Sequence, residues 1–158
     1  HGTSICSLIA ARPYDDLPFG VAPNCRLLPV RWELVNGKYS ISEDLFLQAL
    51  DSISDQIDVM VNTWSRSPNF RFRDSTIERL TAHATKGGRR GKGIVFVWAA
   101  GNSNCPINLA SKADIPFRGG LRGKGDNKTW YPIKTARQFS NNLTGLDNVL
   151  HVGAISGP

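Results

Sequence analysis

The chain has 158 residues, 41% of them hydrophobic and 20% charged, an ordinary make-up for one globular domain or most of one. No apolar run approaches the ~18 to 20 residues that a membrane helix needs, and no signal peptide is evident, so no membrane partner is expected. The formal net charge of +6 is spread along the sequence apart from the cluster Lys86-Gly87-Gly88-Arg89-Arg90-Gly91-Lys92. That cluster reads as a solvated loop between a helix and a strand, and no nucleic-acid partner is expected.

In chain order, residues 1 to 11 combine Ile5, Leu8 and Ile9 with small side chains, which predicts a tightly packed, buried helix with His1 at its start. Arg12-Pro13-Tyr14-Asp15-Asp16-Leu17-Pro18 ends it. Leu27-Leu28-Pro29-Val30-Arg31-Trp32 reads as a strand weakened by Pro29, and Asn36-Gly37 is a turn signal. Ser40-Ile41-Ser42-Glu43 is a capping-box pattern before a helix whose apolar face is Leu45, Phe46, Ala49, Leu50 and Ile53.

A strand follows over 58–64, then a helix from Asp74 carrying Leu80 and Ala84, which ends in the basic loop. Ile94-Val95-Phe96-Val97-Trp98-Ala99-Ala100 is apolar throughout, as a strand covered on both faces should be. Residues 103–147, rich in Gly, Asn, Lys and Pro, read as a long irregular loop insertion, and 149–154 as a last strand. This β-α-β-α-β order predicts an α/β fold: three layers, a mainly parallel sheet, and helices on both faces. Sites in such sheets form at the carboxyl ends of strands, where Thr63-Trp64-Ser65 and Gly101-Asn102 fall.

The remaining reactive residues point to less. Three cysteines, Cys6, Cys25 and Cys105, make neither a disulfide framework nor a metal signature. Asn127-Lys128-Thr129 and Asn142-Leu143-Thr144 fit the N-glycosylation acceptor pattern. His83 and His151 have no ligand or base context in the sequence and read as structural.

Five segments in order resemble the subtilisin-like serine proteases, the subtilases. His1-Gly2-Thr3-Ser4-Ile5-Cys6-Ser7-Leu8-Ile9-Ala10-Ala11 is similar to that family's histidine motif. Gly20-Val21-Ala22-Pro23 resembles its next segment, and Asp58-Val59-Met60-Val61-Asn62-Thr63-Trp64-Ser65 its cleft strand. Gly93 to Asn102 resembles its oxyanion strand, and Asn148 to Ala154 the strand after it. Departures include Cys6-Ser7 for Ala-Gly, Ser65 for a glycine, and Trp98 where a smaller residue is common.

The resemblance implies a serine endopeptidase acting on peptide or protein substrates through an acyl-enzyme. It implies that His1 is the general base and that the Asn102 side-chain amide donates to the tetrahedral oxyanion. It further implies that Thr63, Trp64 and Ser65 form one wall of the cleft and Ala99, Ala100 and Gly101 the other, with peptide added as an extended strand. The family's triad aspartate would then lie before residue 1 and its serine beyond residue 158. Residues 1–158 would be the central part of a peptidase domain, inactive alone, with a propeptide or flanking domain of the same parent chain as a further partner. Secretion is what the family resemblance favours. No cofactor is expected. Subtilases often bind calcium as a structural ion in the loop that here holds Asp15 and Asp16, and no calcium site is assigned to them.

Two relatives of this reading have different consequences: a non-catalytic subtilase-like domain that binds peptide or acts as a scaffold, and a subtilase-derived transpeptidase or macrocyclase. A copper site at an N-terminal His1 is a third possibility, disfavoured by the α/β pattern.

Overall fold

In the computed structural model the described residues are all except 17–18, 33, 37, 40–41, 65–69, 103–107, 110–112, 116–120, 131–132, 136–138, 141, 144–145 and 155–158. The chain divides into two compact units, His1–Ser40 and Ile41–Pro158.

In the first unit, α1 (Gly2–Ala10) starts at His1, whose carbonyl accepts from the Ile5 amide at 3.0 Å. Ala11 turns to an extended conformation, φ −58° and ψ 131°, and ends the helix ahead of Pro13. The chain then returns along the helix end. Gly20, Val21 and Ala22 donate their amides to the carbonyls of Ala11, Leu8 and Ile9 at 2.9, 3.0 and 2.7 Å, satisfying acceptors that a helix C-terminus leaves open. Gly20 lies so close that a Cβ there would sit 2.5 Å from the Ala10 nitrogen. Two of the recognised sequence segments are therefore one backbone-bonded structure.

The expectation of a tightly packed helix is corrected within this unit. None of α1 is buried, and Leu8 is 68% exposed. The returning segment reaches the helix carbonyls rather than its apolar side chains, so no opposing layer covers Ile5, Leu8 and Ile9 here. The strand expected over 27–32 does not form either. Pro29 has no amide proton to donate, and Leu27, Leu28 and Val30 are exposed. The Asn36-Gly37 signal holds: β1 (Leu34–Val35) and β2 (Lys38–Tyr39) pair antiparallel about Asn36, which has φ 52°.

The second unit contains α2 (Glu43–Ile53), β3 (Val59–Asn62), α3 (Asp74–Ala82), β4 (Val95–Ala99) and β11 (Val149–Val152). The three strands form a parallel sheet in the order β11-β4-β3, the α/β core expected of an incomplete subtilisin-like fold. Register aligns Met60 with Phe96, Asn62 with Trp98, and His151 with Trp98, so these side chains share one face. Met60, Asn62, Phe96 and Trp98 are buried on that face and His151 is half-buried, and Phe46 of α2 packs edge-on against Trp98 with ring centroids 5.9 Å apart. Phe46, Leu50, Leu80, Ile94 and Phe96 are at most 1% exposed, and each such side chain contributes about 1.5–3 kcal/mol by leaving water. The opposite face carries Val59, Val61, Leu150 and Val152, all apolar and each about half exposed in this unit.

The residues after β4 are more regular than their composition predicts. β5 (Asn108–Leu109) pairs with β10 (Phe139–Ser140), β6 (Ala113–Ile115) with β9 (Ile133–Thr135), and β7 (Leu121–Arg122) with β8 (Thr129–Trp130), all antiparallel. Each pair nests inside the last, so the described part of the stretch read as irregular holds three antiparallel strand pairs, the innermost closed by a turn at residues 123–128. Two- and three-residue strands leave too little alternation for a period-two pattern to register.

Candidate functional site

The carboxyl ends of β3 and β4 meet at one edge of the parallel sheet. The last paired residues are Asn62 and Trp98, and continuing that register sets Thr63 beside Ala99. Thr63, Trp64, Ala99 and Ala100 are all partly exposed there. Ala100 extends the ladder on the other side, its amide donating to the Val152 carbonyl at 2.9 Å. Gly101 then adopts φ +100°, a conformation that side chains disfavour, and turns the chain so that Asn102 stands exposed just beyond the strand.

The structure thus gathers Thr63, Trp64, Ala99, Ala100, Gly101 and Asn102 at neighbouring strand ends. Ser65 lies outside the described residues. His1 belongs to the first unit, where it is exposed at the start of α1 with its ring unpaired among the described residues.

One residue does more than its sequence context announces. Trp98 is 3% exposed and points into the core, yet its indole Nε1 donates to the Trp64 carbonyl at 3.1 Å. The two indoles meet edge to face at 4.9 Å, with Phe46 and Phe72 packed around them. The large side chain at position 98 of β4 therefore fixes the backbone just past the neighbouring end of β3. The strand over 94–100 was legible from its continuous apolar run; the hydrogen-bond partner of Trp98, 34 residues away, was not.

Asp51 of α2, Arg79 of α3 and His83 just beyond it form a cluster that ties the two helices together. His83 is buried, with Nε2 at 2.7 Å from Asp51 Oδ1 and Nδ1 at 3.2 Å from the Gly87 carbonyl. Arg79 makes a two-pronged contact to the same carboxylate at 3.1 and 2.7 Å. The Arg79 hydrogen bond, seconded by His83, holds the Asp51 carboxyl below the usual carboxylate range against a desolvation that opposes it. His151 has a buried Nε2 without a hydrogen-bond partner among the described residues, and burial lowers its pKa.

The basic loop is tied down more than a solvated loop would be. The Arg89 guanidinium bonds Asp58, its amide bonds the Ser54 carbonyl, and the Arg90 amide bonds Asp55, while the Lys86, Arg90 and Lys92 side chains remain exposed. Asp15 and Asp16 stand exposed in a turn, Cys6 and Cys25 are free thiols, and Cys105 lies outside the described residues.

The fold and these strand ends define the class. The model of the subtilase family, Peptidase S8, matches residues 1–157, and the chain belongs to that family of serine peptidases. It is also similar to Furin-like protease 2 of Drosophila melanogaster, with 30% identity over 106 residues. That match covers 65% of this chain and 6% of the relative, so the chain spans a small part of that protein's length. No solved structure gives a significant match.

Proposed function

We propose that this chain is the part of a serine endopeptidase domain that carries the general base and one oxyanion donor, with the triad's aspartate and serine supplied elsewhere in the parent. The reading is carried by the turn at Gly101. It presents an exposed side-chain amide, Asn102, at the carboxyl end of a central parallel strand, beside a second strand end that can pair with extended peptide.

In this reading His1 takes the proton of the attacking serine and returns it to the leaving amine. The Asn102 amide donates to the oxygen that becomes negative as the tetrahedral intermediate forms. Thr63-Trp64 and Ala99-Ala100-Gly101 hold the substrate backbone between them, and Ser65 completes the first wall. The small side chains of Ala99, Ala100 and Gly101 leave room for a sizeable residue before the scissile bond. No cofactor enters the reaction. The parent passes through a secretory compartment, in keeping with the family and with a relative named as a furin-like protease.

The test is covalent labelling. The full-length parent should react with a serine-directed fluorophosphonate probe and release cleaved peptide, and His1→Ala should abolish the labelling. A folded parent that neither labels nor cleaves would instead be a peptide-binding relative. Joined rather than hydrolysed products, seen by mass spectrometry, would make it a transpeptidase.

A further inference from the structure

Two asparagines match the N-glycosylation acceptor pattern, and the structure gives them opposite surroundings. Asn127 lies in the turn that closes the innermost of the three antiparallel strand pairs, β7 with β8. Residues 123–129 are exposed, including Asn127, Lys128 and the Thr129 hydroxyl-bearing residue that the pattern requires. The turn has a definite shape. The Asn127 amide donates to the Lys124 carbonyl at 3.2 Å, and the Asn127 carbonyl packs against Gly123, where a Cβ would meet it at 2.2 Å. With φ +110° at Gly123 and +59° at Gly125, the backbone makes the bend and leaves the Asn127 side chain without a hydrogen-bond partner among the described residues.

Asn142 is committed. Its Oδ1 accepts from the Phe72 amide at 3.0 Å and its Nδ2 donates to the Phe72 carbonyl at 2.8 Å, a closed pair across 70 residues. Phe72 is 6% exposed, and Leu143 beside the clasp is 1% exposed. A cyclic pair of this kind uses the Nδ2 hydrogen on the same side as Oδ1. In an N-linked glycan the sugar replaces that hydrogen, because a secondary amide keeps its substituent trans to the carbon chain. A sugar on Asn142 and the clasp to Phe72 therefore exclude one another.

We infer that Asn127 is an N-glycosylation site of the secreted protein and that Asn142, although it carries the same pattern, is not. In the transfer, Asn127 Nδ2 attacks the anomeric carbon of a lipid-diphosphate-linked oligosaccharide. The N–C bond forms as the C–O bond to the diphosphate breaks, the diphosphate leaves on the lipid, and the amide nitrogen gives up one proton. Transfer precedes folding, so selection acts afterwards: a chain modified at Asn142 cannot close the clasp, whereas one modified at Asn127 carries its sugar at an exposed turn. The inference rests on the secretory part of the proposed function and is independent of the peptidase chemistry.

The test expresses the full-length parent in a secreting eukaryotic host and treats the medium fraction with a glycoamidase in heavy-oxygen water, reading each asparagine by peptide mass. Label at Asn127 and none at Asn142 is expected. Thr129→Ala should remove the glycan while leaving the asparagine in place. Thr144→Ala should leave the glycosylation of the secreted protein unchanged and not lower its yield, whereas Asn142→Gln should keep the Asn127 glycan and lower the secreted yield by loss of the clasp. Secreted protein with label at Asn142, or with Asn127 bare, overturns the inference. A parent that labels with the fluorophosphonate probe but never enters the lumen overturns it together with the secretory reading, leaving the peptidase reading intact.

Discussion

Asp51 takes hydrogen bonds from two bases that reach it from α3 and the turn beyond, and its charge is what both require. Because its folded-state pKa lies below the ordinary 3.8, the stability it contributes is fully present above the unfolded-state value and is lost as pH falls through the folded-state one. Asp51→Asn should therefore lower stability by about 1–2 kcal/mol at neutral pH, the modest end for hydrogen bonds to charged groups because Asp51 and Arg79 are partly in solvent. The variant should also flatten the acid limb below about pH 4, where wild type is losing the same contribution. Urea unfolding of the full-length protein at pH 7 and pH 3 measures both effects, and an equal deficit at the two values would remove Asp51 charge as the cause. A structural role for His83 was legible from its context. Its carboxylate was not, because 32 residues separate the pair and no local period joins them.

Helix ends show the same division between local and distant signals. The capping-box pattern at Ser40 to Glu43 locates the helix but misplaces the cap. Ser42, extended at φ −80° and ψ 150°, accepts from the Leu45 amide at 3.1 Å, and Glu43 does not fold back onto its own helix. Glu43 instead caps α3, accepting from the Arg73 amide at 3.0 Å and the Thr76 hydroxyl at 2.6 Å. Arg73 in turn pairs with Asp44 beside it. Pattern rules see only an acid three residues after a serine, and a helix 30 residues away was the stronger claimant. Ser42→Ala should cost about 1 kcal/mol, an ordinary cap loss. Glu43→Ala should cost more, about 1–3 kcal/mol, because it strands the hydroxyl of Thr76 in a fully buried position and uncaps α3 at once. Comparing the two urea midpoints checks the assignment, and a larger loss for Ser42→Ala would refute it. The strand pairs from β5 to β10 were hidden for a related reason: the strands pair across up to 32 residues, and each is too short to announce itself.

At the scale of the molecule, the alternation of strands and helices is enough to place the parallel sheet and to put Thr63, Trp64, Gly101 and Asn102 at its carboxyl edge. The tie between two strand ends, made by a side chain that faces the core, required the structure. This difference separates two kinds of defect in the full-length parent. In the proposed reading Asn102 acts only as the oxyanion develops, so Asn102→Ala should lower kcat by about 10²–10³-fold with KM nearly unchanged. Trp98 is buried and holds the Trp64 carbonyl through one hydrogen bond. Trp98→Phe keeps an aromatic ring among Phe46, Trp64 and Phe72 and deletes one hydrogen bond, about 0.5–1.5 kcal/mol. Its expected effect is a rise in KM of up to about tenfold, because the backbone proposed to receive the peptide is less well fixed, with kcat little changed. Steady-state kinetics on one peptide substrate distinguish the two. If Trp98→Phe lowers kcat and spares KM, the indole supports the reacting groups, and its bond to Trp64 is not what positions substrate. If Asn102→Ala leaves kcat within a factor of a few, the oxyanion is held by other donors, and the turn at Gly101 presents Asn102 for something other than chemistry.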